Sequence, residues 1–190
     1  MSNTYFKLME NAKPNPLLEE AIIFCNGPRA LDLGAGPLND ARFLSEKGFS
    51  VIAVDKSDNI IELAKATKNI VPVVCLFNEY DFPTHYFDLI NSQWSLPFND
   101  PLSFRRVFKS MKASLKSDGI LCITLYGTRD DWAQMKQASM TFLTRKDVND
   151  LLSGMEIIKF QEKEEDIQRL DKKEMKHWHV FYILARMLKA

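Results

Sequence analysis

The run Ala30-Leu31-Asp32-Leu33-Gly34-Ala35-Gly36, followed by a helix-like stretch and then Val51-Ile52-Ala53-Val54-Asp55, constrains this chain more than any other feature. An apolar strand that ends in two glycines turns sharply. A second apolar strand ending in an acid about twenty residues later completes the outline of a nucleotide-binding βαβ half. Gly34 and Gly36 admit a ligand close to the backbone, and Asp55 stands where a ribose would lie. The plainer reading is a tight strand-to-helix turn with Asp32 and Asp55 as exposed caps.

The remaining elements follow the same rhythm. Leu17 to Phe24 is amphipathic after Pro14 and Pro16 and predicts a leading helix ended by Gly27-Pro28. Leu38, Ala41 and Leu44 recur at helical spacing, with Gly48 suited to the C-cap. Val71 to Leu76, Phe87 to Ser92 and Ile120 to Tyr126 read as short buried strands, the last preceded by a helix around Phe104 to Met111 and a turn at Asp118-Gly119. A further helix is expected over Arg145 to Leu152. Strands that are apolar throughout and separated by helices specify a mostly parallel sheet covered on both faces. Met155 to Phe160 and Trp178 to Met187 break the rhythm, since a charged stretch joins them without a crossover helix. They predict an antiparallel hairpin at the sheet edge.

Composition narrows the partners. The chain of 190 residues has 25 basic and 25 acidic side chains, and no basic arm or groove signal for nucleic acid. One domain over 1–190 is expected, with 1–28 as a helical segment that can act as a lid. No apolar run approaches membrane-spanning length and no secretory leader is evident, which predicts a cytoplasmic protein. Cys25, Cys75 and Cys122 are few, dispersed and apolar in context, and read as reduced thiols. With them and only three histidines, no metal site is expected. The expected partner is a small molecule, and the sequence specifies no oligomeric state.

Asp32 offers negative charge to an amino group, which favours S-adenosylmethionine over a dinucleotide. A nicotinamide-dependent oxidoreductase would want a third glycine at Asn39. Asp32-Leu33-Gly34-Ala35-Gly36, Val54-Asp55, Phe87-Asp88-Leu89-Ile90 and Leu115-Lys116-Ser117-Asp118-Gly119 together resemble the class I S-adenosylmethionine-dependent methyltransferases, closest to the small tellurite-resistance type. The resemblance implies a Rossmann-like, doubly wound, seven-stranded α/β sheet with a reversed last strand inserted between the fifth and sixth. It implies cofactor contacts at Asp32, Gly34, Ala35, Gly36, Asp55, Lys56 and Ser92, and adenine contacts at Asn78 and Glu79. The family carries a third glycine where Leu38 stands.

A reversed strand starts at the rim where the parallel strands end. His177 and His179 are therefore candidate proton acceptors, against the alternative of an edge-strand surface pair. Trp94, Arg129, Trp132 and Trp178 are candidates for the substrate wall, against the alternative that the tryptophans are core. The expected reaction is in-line methyl transfer to a small acceptor. The competing readings are a non-catalytic cofactor-binding module and the nicotinamide oxidoreductase.

Overall fold

The computed structural model describes residues 9, 12–135, 139–168 and 174–189. The candidate lid residues Tyr5 and Phe6 and the charged tip at 169–173 lie outside the described residues. Seven strands form one sheet in the order β3-β2-β1-β4-β5-β7-β6. They are β1 (Arg29–Leu33), β2 (Ser50–Asp55), β3 (Ile70–Val74), β4 (Phe87–Ser92), β5 (Leu115–Tyr126), β6 (Met155–Gln168) and β7 (Met175–Met187). Strands β1 to β5 are parallel, and β7 runs antiparallel to both β5 and β6. The expected doubly wound sheet with a reversed last strand is thus observed.

Helices α1 (Pro16–Ala21), α2 (Asn39–Glu46), α3 (Asn59–Ala64), α4 (Pro101–Ser114), α5 (Asp131–Gln134) and α6 (Arg145–Leu151) connect them. Several of their starts carry side-chain caps. The Asn15 side chain accepts from Leu17 N–H with Pro16 at the first helical position, and Asp100 accepts from Leu102 and Ser103 ahead of Pro101. Thr144 and Asp147 form a reciprocal capping box on α6. Helix α4 turns Phe104, Val107, Phe108 and Met111 into one core against Leu31, Leu121 and Phe181. Leu18, Ala41 and Leu44 fill a second core on the other face with Leu89 and Leu184. Among the described residues no helix is long and apolar enough to cross a membrane.

Two boundaries differ from expectation. Leu115 to Gly119 enters β5 rather than forming a free turn. Register with β4 shifts after the Phe87–Leu115 pair, and Asp118 takes φ 63° to absorb the extra residues. A Cβ on Gly119 would lie 3.0 Å from the Phe87 carbonyl oxygen, so only glycine fits there. The hairpin is also longer than apolar content predicts, with β6 running to Gln168 through Glu162, Glu164, Glu165 and Asp166. Its charges are satisfied across strands and loops: Glu162 meets Arg145 and His179, and Glu164 meets Arg129. Charge along an outermost strand also blunts edge-to-edge pairing.

Candidate functional site

A cavity of about 760 Å³ lies between the glycine turn, the segment before α1 and the outer strands. It sits beyond the carboxyl ends of β1 and β4, where the strand order reverses and doubly wound sheets bind ligands. Asp32, Gly34, Ala35, Gly36 and Asp40 line one side, Trp94 and Tyr182 another, and Asn15 and Lys13 border it from the N-terminal segment.

The glycine turn keeps its shape despite Leu38. Gly34 takes φ 88° and Gly36 φ 47°, and Leu38 adopts φ 64°, the left-handed conformation that glycine would supply. That conformation costs a leucine about 1–2 kcal/mol. Leu38 is fully buried in the second core, a gain of about 1.5–3 kcal/mol, so burial offsets the strain.

Two carboxyl groups share one amide. Asn91 Nδ2 donates to Asp32 Oδ1 at 2.8 Å and to Asp40 Oδ2 at 3.0 Å. Among the described residues, Asp32 Oδ2 is buried without a hydrogen-bond partner. Burial, and secondarily the charge of Asp40, hold the Asp32 carboxyl well above the usual carboxylate range. Burial likewise raises Asp40, whose Oδ1 accepts from the Asn15 N–H at 3.0 Å. The network continues outward. Gln93 Nε2 donates to Asn91 Oδ1 and to the Cys122 carbonyl, while Gln93 Oε1 accepts from Asn15 Nδ2 at 3.1 Å.

Asp55 is buried at the end of β2, and its carboxylate organises the turn itself. One oxygen accepts from Gly36 N–H and the other from Ser57 N–H, both at 2.9 Å. Lys56 beside it is exposed, as are Asn78 and Glu79 in the turn after β3, where Glu79 accepts from Leu76 N–H. Ser92 is buried and donates to the Leu33 carbonyl at 2.9 Å. Ser95 donates to the same carbonyl, and a Cβ on Gly34 would strike the Ser95 side chain at 2.2 Å. This close packing locks the loop after β4 onto the glycine turn.

His177 and His179 do not line the cavity. Alternation along β7 places Trp178 and Tyr182 on the cavity side and the two histidines on the opposite face. His179 is buried beside Gly127: its Nδ1 accepts from Arg129 N–H at 3.1 Å and its Nε2 lies 2.8 Å from Glu162 Oε1. His177 contacts Asp166 and Glu164, with the Asp166 hydrogen bond first in raising its pKa. Arg129 is likewise drawn away, bound to Glu162 and Glu164. Both histidines and Arg129 thus belong to a network of hydrogen bonds and ion pairs that holds the hairpin rim. Of the tryptophans, Trp94 lines the cavity, while Trp132 and Trp178 pack behind it around Tyr126.

Asp40, Asn91, Gln93 and Tyr182 are the site residues that sequence reasoning missed. Asp40 was legible in principle, because the first turn of a helix leaving a glycine loop faces the same rim as the preceding strand end. Tyr182 follows from counting twos along β7 from Trp178. Among the described residues no group of three or more histidine, cysteine, aspartate or glutamate side chains is placed to hold a metal ion.

Residues 30–119 match a family described as a methyltransferase domain. A curated relative, an uncharacterized methyltransferase from Staphylococcus carnosus, is 34% identical over 95 residues, half of this chain and 45% of that protein. The chain therefore spans less than half the length of that relative. Among solved structures, TehB from Haemophilus influenzae superposes with a TM-score of 0.76 at 20% identity, covering 90% of this chain and 61% of that one. A methyltransferase from Methanosarcina mazei gives 0.71 at 20% identity over 94% of this chain and all of its own. The 1,6-didemethyltoxoflavin-N1-methyltransferase of Burkholderia thailandensis, with 1,6-didemethyltoxoflavin and S-adenosylhomocysteine bound, gives 0.68 at 20% identity over 92% and 78%. The domain match spans β1 through the irregular entry into β5, so that stretch of the chain is similar to methyltransferase domains, and the solved structures share the fold of the whole sheet.

Proposed function

We propose that the chain binds S-adenosylmethionine in this cavity and methylates a small-molecule acceptor. The observation that carries the reading is the Asp32–Asp40 pair, with one buried carboxylate oxygen that has no hydrogen-bond partner among the described residues. An amino-acid ammonium would satisfy that oxygen and relieve the repulsion of two like charges. Gly34, Ala35 and Gly36 leave room for the ligand. Asp55 would accept ribose hydroxyls on lone pairs that Gly36 and Ser57 do not use, since a carboxylate offers about four such sites. Lys56, Asn78 and Glu79 are exposed outside the cavity lining and would meet the ribose and adenine from beyond it, while Ser92, buried on the Leu33 carbonyl, would support the turn.

When bound, S-adenosylmethionine supplies a methyl group on a sulfonium, already activated for displacement by an acceptor lone pair. The chain has to align the acceptor and exclude water, effects worth about 7–11 kcal/mol when geometry is good. Trp94 and Tyr182 provide that wall. The cavity volume and the 1,6-didemethyltoxoflavin bound by the Burkholderia neighbour support a small acceptor.

Proton linkage tests the cofactor assignment. A carboxyl with a raised folded pKa stabilises the ligand-free fold while protonated and loses that contribution as pH climbs from the ordinary carboxylate range through the raised value. An arriving ammonium expels the proton. Binding of S-adenosylmethionine should therefore strengthen as pH rises from the ordinary carboxylate range through that raised value, with a calorimetric enthalpy that depends on the buffer's ionisation heat. A pH-independent, buffer-independent enthalpy would count against Asp32 as the ammonium partner.

The segment before α1 acts as a lid in this reading. Asn15 binds Asp40 and Gln93, and Asn39 Nδ2 donates to the Met9 carbonyl at 2.7 Å, so the segment is tied across the cavity floor. Deleting the residues before Pro16 should weaken cofactor binding about tenfold, the equivalent of one or two hydrogen bonds, while circular dichroism of the sheet is unchanged. Unaltered affinity would reduce the segment to packing.

A further inference from the structure

Charge is divided unevenly around the cavity. Asp32 and Asp40 hold the end nearest β1, whereas β6 presents Lys159, Gln161 and Lys163 to the cavity from one face of the strand. Lys159 is neutralised, its ammonium 2.7 Å from both Glu20 oxygens. Lys163 differs. It has no carboxylate partner among the described residues, and its ammonium stands over the Tyr182 ring, 5.9 Å from the centroid. Glu165, next on that face of β6, lies beyond the cavity lining. Glu19 and Lys13 are both exposed on the rim.

The wall beneath Lys163 is rigid and aromatic. Trp94 has φ 56°, a left-handed conformation that is unfavourable for a bulky residue and persists only where its surroundings impose it. Here they do so: its N–H donates to Thr124 Oγ1 at 2.6 Å, and its ring packs 5.9 Å from both Tyr182 and Trp178. Strain held in place beside a cavity marks a surface that is pre-shaped for a ligand. Trp94 and Tyr182 are each only half-buried, and both face the cavity.

Resting on the proposed function, we infer that the acceptor is a flat aromatic or heteroaromatic anion, whose ring lies against Trp94 and Tyr182 and whose charged substituent is met by Lys163. The division of charge then orients both ligands: the cofactor's ammonium goes to Asp32 and Asp40, and the acceptor's anion goes to the opposite end. A neutral acceptor would leave Lys163 unused. A cationic acceptor would meet it unfavourably.

The test uses the full chain saturated with S-adenosylhomocysteine and calorimetric titration with 2-naphthoate and its neutral amide, 2-naphthamide. Naphthoate should bind about tenfold more tightly, as expected for one charge-assisted contact at a partly exposed site. The preference should vanish in Lys163→Met and survive in Lys163→Arg. Trp94→Ala should weaken both probes, with Trp94→Leu as the milder variant should the first unfold. Equal binding of the two probes, or a preference that Lys163→Met retains, overturns the inference. The S-adenosylhomocysteine titration distinguishes the two levels: if that molecule does not bind, the proposed function fails and this inference with it. If it binds and naphthoate has no advantage, the inference alone fails.

Discussion

Replacing Asp32 by asparagine is expected to weaken S-adenosylmethionine binding about 30- to 1,000-fold, the cost of removing one member of a buried charge pair. The same substitution should raise the melting temperature of the ligand-free protein by about 2–6 °C, corresponding to roughly 1–2 kcal/mol. The opposite signs share one cause. Asp32 carries a buried oxygen that has no partner among the described residues, next to the carboxyl of Asp40, an arrangement that is unfavourable until a cation arrives. An asparagine side chain keeps the shape and can still accept from Asn91, and it removes the like-charge repulsion. Calorimetry for binding and a thermal melt for stability suffice as measurements. A variant that binds normally would remove Asp32 from the site, and one that melts lower would mean that the carboxyl is better satisfied than its geometry shows.

The second large effect lies behind the cavity. Lys176 and Asp130 form an ion pair at 2.5 Å with both side chains essentially sealed from solvent, at 3% and 0% exposure. The ammonium also lies 3.5 Å from the Trp178 ring centroid and 4.3 Å from that of Trp132. Asp130 accepts in addition from the N–H groups of Trp132 and His179, so it ties the start of α5 to β7. Lys176→Met should destabilise the fold by about 3–5 kcal/mol, a fall in melting temperature of roughly 10 °C, because it strands a buried carboxylate without its counter-charge. Adding Asp130→Asn should restore most of the loss, since asparagine keeps the acceptor for Trp132 without the charge. A double-mutant cycle measures the coupling directly, and additive losses would contradict it. Because Trp178 and Tyr126 both contact Trp94, loosening this pair should also blur the cavity wall.

These effects mark the line between what was legible along the chain and what was not. Asp32, Gly34 and Gly36 were legible because a strand end, a sharp turn and a helix start are consecutive events, governed by local backbone chemistry. The value of Asp32 was not, because the groups that set it come from elsewhere: Asn91 is 59 residues away, and Asp40 meets Asn91 across 51. The histidines fail for a related reason. Their rim position follows from strand direction, but the face they occupy follows from registry, and β7 pairs Phe181 with Leu125 and Tyr182 with Thr124. One step of phase exchanges every side chain between the cavity and the opposite core. The charged length of β6 was illegible for the same cause, since Glu162 and Glu164 become favourable in a strand only once Arg129, Arg145 and His179 have been brought beside them.

By itself, then, the sequence determined the order of strands and helices, the glycine turn and the acids that end β1 and β2, because periodicity and turn chemistry act over a few residues. Tertiary structure alone decided which carboxyl oxygen and which cavity lysine lack a partner among the described residues, and that Tyr182 joins Trp94 at the cavity while His177 and His179 face away. Those outcomes depend on burial and on pairings between residues far apart in the chain, and desolvation and strand phase exist only once the sheet has closed.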